Sequence, residues 1–394
     1  MFIKNGLHKV ARFFYNCFMK DIIVKRASKD ILSELNSIKF DSSYISVAVN
    51  KYNASAYKVF NLKAHEANIL KQLCLSLGFD CAVSKDTVTC KCEYTDAIIF
   101  ATDSQLLKLK KKLLIQPFRL KQLSTLLNVQ KIKYKTPKIM GILNVTPDSF
   151  SDGGKYNSVE KAVEHALQLV SDGADIIDIG GESTRPNADS ISIEEEINRV
   201  VPVIKAIRNK GIDVSISIDT RNYLTAKAAI EAGANIINDV SGLDYDKNLF
   251  DYVVTNNIPV VIMHSDKVPA DSNDFSSNIV EEVYFSLSTK VNLLLEKGMS
   301  KENIIIDVGI GFGKSKDANF ELLKRLEEFT SLGVDLLLGI SRKSFIRNQF
   351  NMSLEDADIP TAMYSAMLPF VAIHRVHNVK LTKQYLSYAS LLHD

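Results

Sequence analysis

Residues 138–180 contain the pattern that decides the fold. An apolar run, KIMGILN (138–144), leads through a polar loop to a segment of helical period, SVEKAVEHALQLVSDGA (158–174), and then to a second apolar run, ADIIDIG (174–180). Apolar runs that alternate with helical segments are typical of parallel strands joined by helices. The first strand ends at Asn144 and opens into a polar loop, 145–154, that has little to contribute to a core.

The same alternation continues to the end of the chain. Six further apolar runs read as strands: IDVSISID (212–219), ANIINDV (234–240), IPVVIMH (258–264), NIIIDVG (303–309), VDLLLGIS (334–341) and FVAIHRVHN (370–378). Eight strands that alternate with helices predict an α/β fold of the (β/α)8 TIM-barrel type. An open doubly wound sheet is the alternative, which the strand count and the lack of an early G-x-G-x-x-G motif disfavour.

The charge of the 394-residue chain changes sign along its length. Residues 1–137 contain 23 Lys and Arg against 10 Asp and Glu, whereas residues 138–394 contain 25 against 36. This change predicts a small accessory α/β domain (31–137) before the catalytic barrel (138–394), with a linker at 133–138. The basic segment 1–30 is predicted to be disordered or helical, with a transit peptide or a membrane-surface helix as alternatives.

Composition disfavours several classes of protein. All five cysteines lie in the first 92 residues, and their odd number does not suggest a secreted disulfide framework. Reduced, buried thiols are expected, with a metal site at Cys90 and Cys92 as the lesser alternative. No apolar run reaches the roughly 18 residues of a membrane span. The basic run KLKKKLL (108–114) lacks interleaved aromatic residues, so we expect no nucleic-acid partner. We also expect a cytoplasmic protein.

Polar side chains stand at the end of nearly every predicted barrel strand. One Asp in such a position is often only a helix N-cap, but eight polar strand ends indicate a site, because barrel enzymes place their chemistry there. Asp219, Asn238 and Asp307 suit a flat heterocycle with an amidine-like edge, such as a pterin or guanine-like ring. A second set of side chains suits a phosphate group: Asn144, Thr184, Arg185, Arg375 and His377. The side-chain oxygen of Asn144 also suits Mg²⁺.

Six motifs, in this order and at these spacings, resemble dihydropteroate synthase: GILNVTPDSFSDGG, GGESTRP, INDVSG, GIGFGKS, GISRKSF and RVHNV. The resemblance covers 138–394. It implies a TIM barrel that condenses 6-hydroxymethyl-7,8-dihydropterin diphosphate with 4-aminobenzoate in folate biosynthesis and releases diphosphate. It also implies a homodimer and inhibition by sulfonamides, which mimic aminobenzoate. Residues 61–90 loosely resemble an accessory segment of some bacterial members.

The resemblance also implies roles for single residues. Those that match pterin-binding positions are Asp219, Asn238, Asp307 and Lys343. Those that match diphosphate contacts are Asn144, Thr184, Arg185, Arg375 and His377, with Asn144 also a ligand of Mg²⁺, the one implied cofactor. The aminobenzoate side is matched by Pro186, Phe312, Lys343 and Ser344. The implied catalytic set is Asp219, Asp307, Lys343 and Asp152, the last on a loop that closes over the reacting centre.

The chain departs from the family pattern at several positions. Val308 stands where the family has Pro, Asn187 where it has Gly, and the segments 263–269 and 360–370 differ, the second in a helix that often contributes to the dimer.

Two other functions stay open. A methyltetrahydrofolate-dependent methyltransferase would share the Asp and Asn pocket but has no reason to keep STRP, SRK and R-x-H. A non-catalytic paralogue acting as a regulatory subunit is the other.

Overall fold

The computed structural model divides the chain into two compact units, Met1–Val129 and Gln130–Asp394. Apart from Leu32, Leu35 and Asn36, the residues it describes are 38–52, 54–89, 91–127, 136–145, 155–182, 191–265 and 279–391. The basic segment 1–30 lies outside this part of the chain, so its alternatives stay predictions.

The first unit contains a three-stranded antiparallel sheet, with β1 (Ala54–Lys63), β2 (Asp80–Val83) and β3 (Tyr94–Thr102) in the order β1-β3-β2. Alternate residues of β3 are buried, so one face of the sheet covers a core and the other is exposed. Cys74 and Cys81 are free, buried thiols in this core. The helices in the described part of this unit are Ile45–Tyr52, Ala64–Ser76, Asp103–Leu113 and Leu120–Leu126, with a 3₁₀ turn at Ser42–Tyr44.

The second unit is a closed parallel barrel of eight strands. The strands are β4 (Lys138–Asn144), β5 (Ile176–Gly180), β6 (Ser215–Asp219), β7 (Ile236–Asp239), β8 (Val260–Met263), β9 (Ile304–Asp307), β10 (Asp335–Leu338) and β11 (Ile373–Val376). Each strand pairs with its sequence neighbour, and β11 pairs with β4 to close the ring. The register places Asn144 beside Gly180, Gly180 beside Asp219 and Asp219 beside Asn238. The predicted TIM barrel is therefore confirmed.

Helices surround the barrel and bury its outer face. They are Lys155–Ser171, Ile193–Asn209, Tyr223–Glu231, Lys247–Asn256, Ile279–Glu296, Lys316–Lys324, Ser344–Phe350, Asp358–Met367 and Val379–Ser390, with 3₁₀ segments at Lys301–Asn303 and Leu326–Leu332. Their apolar sides pack against outward strand residues such as Ile177, Ile216 and Ile306. None of the helices in the described part of the chain has the length and apolar character that a membrane crossing needs.

Inside the barrel an apolar ring fills the lower level. It consists of Met140, Ile176, Ile236, Val261, Ile305, Leu337 and Ile373. Side chains two residues apart on a strand share a face, so Asp178, Asn238, Asp307 and Arg375 also face inward, one level nearer the C-terminal ends of the strands. The fold thus places a polar layer directly above a buried apolar floor.

Candidate active site

Arg375 lies at the centre of the polar layer, between two carboxylates. Its Nε donates to Asp178 Oδ2 at 2.6 Å, and its Nη2 donates to Asp219 Oδ2 at 2.7 Å. The side chain of Asp178 is fully buried, and that of Asp219 is 12% exposed. Two carboxylates on different strands therefore fix the plane of one guanidinium.

Asn238 lies in the same network. Its Nδ2 donates to Asp178, at 3.3 Å from Oδ2 and 3.5 Å from Oδ1, and the residue is 5% exposed. Asp178 is not among the predicted site residues. It stands inside the apolar run ADIIDIG, two residues before Gly180. A carboxylate between aliphatic residues of a strand is unusual, and this signal could have identified Asp178 from the sequence.

Asp307 and Lys343 form the opposite side of the pocket. The backbone N–H of Gly309 donates to Asp307 Oδ1 at 2.8 Å and so holds the carboxylate in place. Lys343 Nζ donates to the carbonyl of Ile310 and lies 4.5 Å from the centre of the Phe312 ring. Lys343 and Phe312, two of the predicted site residues, are therefore in contact.

Lys314, which the sequence analysis missed, fixes the loop that follows β9. Its Nζ donates to the carbonyls of Gly309 and Phe312 at 3.0 Å each and to that of His264 at 3.2 Å. Lys314 is only 6% exposed, so its ammonium group is satisfied by backbone oxygens. Val308, where the family pattern has Pro, is fully buried in the core. The loop is therefore held by hydrogen bonds and packing rather than by a proline ring.

Burial shifts the protonation of the pocket groups. It raises the pKa of Asp219 to about 7, against the opposing charge of Arg375, and it raises the pKa of Asp307 against Lys343. Burial also lowers the pKa of Lys343 to about 7, although Asp307 opposes the shift. Burial disfavours the charge of Arg375, but Asp178 and Asp219 outweigh it and raise its pKa. Arg375 thus stays charged while Asp219 and Lys343 can change protonation near neutral pH.

Asn144 and His377 stand at the rim of the pocket. A side chain at Gly180 would meet Asn144 Oδ1 at 3.9 Å and Asp219 Oδ2 at 3.8 Å, so both oxygens border the space above this glycine. Ser341 Oγ is 2.9 Å from His377 Nδ1 and accepts from the His377 backbone N–H at 3.1 Å. This pair of contacts sets the orientation of the imidazole ring.

The remaining predicted residues divide into two groups. Ser344 is the first residue of the helix Ser344–Phe350 and is exposed. Four others lie outside the described residues, together with most of the loop that follows β4: Asp152, Thr184, Arg185 and Pro186. Their predicted roles stay predictions.

As a whole, the pocket combines two cations, Arg375 and Lys343, with three carboxylates, Asp178, Asp219 and Asp307. Together with the amide of Asn238 they give a dense, partly dry set of hydrogen-bonding groups that can hold a small polar heterocycle. Within the described residues, no three His, Cys, Asp or Glu side chains group closely enough to hold a metal ion.

Comparison with known proteins identifies the family. Residues 140–377 match the family described as pterin binding enzyme. Dihydropteroate synthase of Clostridium beijerinckii is 44% identical over 244 residues, which are 61% of this chain and 88% of that protein. Two crystal structures of the same enzyme resemble the chain. That of Clostridium difficile, with pteroic acid, has 38% identity and a TM-score of 0.62, covering 67% of this chain and 99% of the other.

The second structure is the enzyme of Xanthomonas albilineans with 4-aminobenzoic acid, with 38% identity and a TM-score of 0.62, covering 66% of this chain and 94% of the other. The matched regions span between 88% and 99% of the length of these related chains. The chain therefore belongs to the pterin binding enzyme family, among the dihydropteroate synthases.

Proposed function

We propose that the barrel condenses 6-hydroxymethyl-7,8-dihydropterin diphosphate with 4-aminobenzoate and releases diphosphate. The observation that carries the proposal is the convergence of Asp219, Asn238, Asp307 and Lys343 around Arg375 at the closed end of the pocket. A pterin ring presents N–H donors beside ring-nitrogen and carbonyl acceptors along one edge. Carboxylates accept from the donors, and the lysine donates to the acceptors, so this set can bind the ring in one orientation.

The diphosphate group would lie nearer the rim of the pocket. Two of the three guanidinium nitrogens of Arg375 donate to carboxylates, and Nη1 has no protein acceptor among the described residues, so it is available to a phosphate oxygen. His377, oriented by Ser341, provides a second donor. Thr184 and Arg185 are proposed to complete this site.

The donor set also fits the Mg²⁺ that the family resemblance implies. Mg²⁺ favours oxygen ligands and is usually held by one or two protein groups together with substrate phosphates and water. Asn144 Oδ1, at the border of the space above Gly180, is the protein oxygen that would hold it. When bound, Mg²⁺ would neutralise charge on the departing diphosphate.

The reaction proposed for this geometry passes through a cation-like pterin methylene. The bond between that carbon and the diphosphate oxygen breaks, and its electron pair leaves with diphosphate. Arg375 and His377 stabilise the leaving charge, while ionised Asp219 or Asp307 stabilises the positive charge on the pterin. The aniline nitrogen then forms the new C–N bond, and the proton that it loses passes to the released diphosphate. An aniline is already nucleophilic, which removes the need for a strong base.

The aminobenzoate side of the site is proposed to include Phe312, Lys343, Ser344 and Pro186, with loop 145–154 and its Asp152 closing over the reacting centre. Closure would exclude the water that otherwise captures the cation. The ammonium of Lys343 over the Phe312 ring would place a positive charge near the substrate carboxylate. Sulfonamides, which share the shape of 4-aminobenzoate, are expected to compete for this position.

We further propose a homodimer. The helix Asp358–Met367 exposes Ile359, Met363 and Met367 to 55%, 41% and 65%, and their i, i+4, i+8 spacing puts them on one face. The sequence of this helix departs from the family pattern, but its outer face keeps an apolar stripe that a second copy could cover. A cytoplasmic location is proposed as well, in keeping with the free thiols of Cys74 and Cys81.

The direct test is turnover. Purified protein is incubated with the dihydropterin diphosphate, labelled 4-aminobenzoate and Mg²⁺, and labelled dihydropteroate is measured. Asn144→Ala and Arg375→Ala should each lower kcat/KM at least tenfold. Arg325→Ala, which removes an arginine whose partners Glu328 and Glu281 have no role proposed at this site, serves as the control and should not. Pterin binding without product from the wild type would favour the non-catalytic paralogue instead.

A further inference from the structure

Asp178 connects two residues that the proposed function assigns to different halves of one substrate. One carboxylate oxygen, Oδ2, accepts from Arg375 Nε at 2.6 Å and from Asn238 Nδ2 at 3.3 Å. Arg375 is assigned to the diphosphate and Asn238 to the pterin ring. Among the described residues, no other side chain is hydrogen-bonded to both.

The contact with Asn238 sets the direction of the amide. An ionised carboxylate only accepts hydrogen bonds, so it must face the NH₂ end of Asn238 and not its carbonyl oxygen. The oxygen Oδ1 is then directed away from Asp178, which leaves it for a ligand in the pocket. Asn238 therefore offers an acceptor to the heterocycle, and Asp178 is the reason that it does not offer a donor.

The contact with Arg375 sets the plane of the guanidinium. Asp219 binds Nη2 and Asp178 binds Nε, so the two carboxylates hold one edge of the group, and Nη1 is directed away from them. With Asp219 alone, the guanidinium could rotate about its single remaining strong contact. Asp178 thus defines where the free nitrogen points.

We propose that Asp178 is a positioning residue that sets Asn238 and Arg375 in one fixed mutual orientation, so that the pterin ring and the diphosphate of the substrate are bound in register. The inference rests on the proposed function, because it takes the roles of Asn238 and Arg375 from it. Asp178 is not itself assigned a contact with either reacting group. Its effect reaches the substrate through the two side chains that it orients.

The test measures the two halves of the substrate separately. The probes are 6-hydroxymethylpterin for the ring, and inorganic diphosphate with Mg²⁺ for the phosphate site, each titrated calorimetrically into the full-length protein. Asp178→Asn, which keeps the shape and removes the charge, is expected to weaken each probe at least fivefold and to lower kcat/KM by about two powers of ten, a size seen when substrate positioning is lost. In an Asn238→Ala background the same change should cost no further pterin affinity.

Two further variants separate positioning from charge balance and stability. Asp178→Glu keeps the charge that Arg375 needs but moves the carboxylate, so it should also weaken both probes; it decides the matter if the Asn variant does not fold. Asp175→Asn is the control, since Asp175 precedes the same strand and accepts from the backbone N–H of Ile139 at 2.8 Å, below the polar layer. It should leave both affinities unchanged.

The outcomes divide clearly. Full affinity for both probes in Asp178→Glu would reduce Asp178 to a counter-charge for Arg375 and overturn the inference. So would losses in Asp178→Asn that only track a lower Tm, with Asp175→Asn losing affinity to the same extent. Wild-type protein that makes no dihydropteroate would instead remove the proposed function, so the two failures remain distinguishable.

Discussion

Arg342 donates two hydrogen bonds of 2.8 Å, from Nε and Nη2, to the two carboxylate oxygens of Asp358. The arginine directly precedes Lys343 and has a left-handed backbone, with φ of 59°. Asp358 begins the helix Asp358–Met367 and also accepts from Asn378 Nδ2 at 3.1 Å. Although burial opposes it, these donors lower the pKa of Asp358. The pair therefore ties the loop that carries Lys343 to a helix outside the barrel.

Replacing Arg342 should affect both stability and activity. Arg342→Ala leaves Asp358, 6% exposed, without its bidentate partner, and the free energy of unfolding should fall by about 2 kcal/mol. Lys343 then loses its fixed backbone, so kcat/KM should fall as well. Urea unfolding and initial rates measure the two effects. Arg325→Ala breaks ion pairs with Glu328 and Glu281, whose side chains are more exposed than that of Asp358, and should change stability by under about 1 kcal/mol. Equal losses in both variants would contradict the argument.

Gly309 should tolerate no side chain. Its φ is 69°, and a Cβ there would lie 1.8 Å from the His264 carbonyl oxygen and 3.1 Å from Lys314 Nζ. Gly309→Ala must displace the loop that positions Asp307, at a cost of about 3 kcal/mol or more and with loss of pterin affinity. Gly298→Ala is the matched control, because this glycine also has positive φ, 90°, but open space around it. Thermal unfolding of both, with pterin titration, tests the difference.

The pH dependence of kcat/KM should form a narrow bell near neutrality. Asp219, with its pKa raised to about 7, becomes the ionised stabiliser only as the pH rises through that value. Lys343, with its pKa lowered to about 7, loses its charge over the same range. Because the groups interact, the two apparent values belong to the pair. In Lys343→Arg the alkaline limb of the profile should disappear, because arginine keeps its charge. A wild-type profile that stays flat between about pH 6 and 9 would exclude this assignment.

His374 should make the barrel sensitive to acid. The ring is fully buried, neither nitrogen has a hydrogen-bond partner in the described part of the chain, and burial lowers its pKa to about 3. Between that value and the ordinary 6.5, the unfolded chain binds the proton and the folded chain does not. Stability is therefore lost as the pH falls through this window, by up to about 1.4 kcal/mol per pH unit. In His374→Leu this part of the slope should vanish in unfolding curves taken from pH 7 to 4.

The proposed dimer can be broken on one helix face. Met363→Lys places a charge in the middle of the exposed stripe Ile359, Met363 and Met367, and should convert the dimer to monomer in sedimentation equilibrium. Leu293→Lys, on the helix Ile279–Glu296 and exposed to 41%, is the control and should leave the mass unchanged. A wild type that sediments as a monomer at micromolar concentration would dispose of the dimer itself.

The order of the eight strands could be predicted from the sequence, because near-continuous aliphatic runs indicate buried parallel strands. The residues at which the strands end could not be predicted as closely. The run 334–341 continues past Leu338 in composition, yet the strand stops there, since Gly339 leaves the ladder. The order β1-β3-β2 could not be predicted, because nothing local in a short antiparallel sheet specifies which strand is central.

The convergence of Asp219, Asn238, Asp307 and Lys343 followed from their places at strand ends. Asp178, Lys314 and Asp358 were missed because their roles depend on partners far away in the chain. Asp178 and Arg375 are 197 positions apart, and Lys314 acts on carbonyl oxygens that no side-chain pattern reveals. Motifs report side chains, whereas these three residues act through tertiary hydrogen bonds.

The ring of seven apolar residues beneath Asp307 and Arg375 affects how ligands reach and leave the pocket. It fills the lower end of the barrel, so we expect ligands to enter and leave at the C-terminal ends of the strands. A heterocycle bound against the polar layer occupies the deepest position, and aminobenzoate arriving before it would stand in its path. We therefore expect the pterin to bind before aminobenzoate, and the pteroate that contains it to leave last.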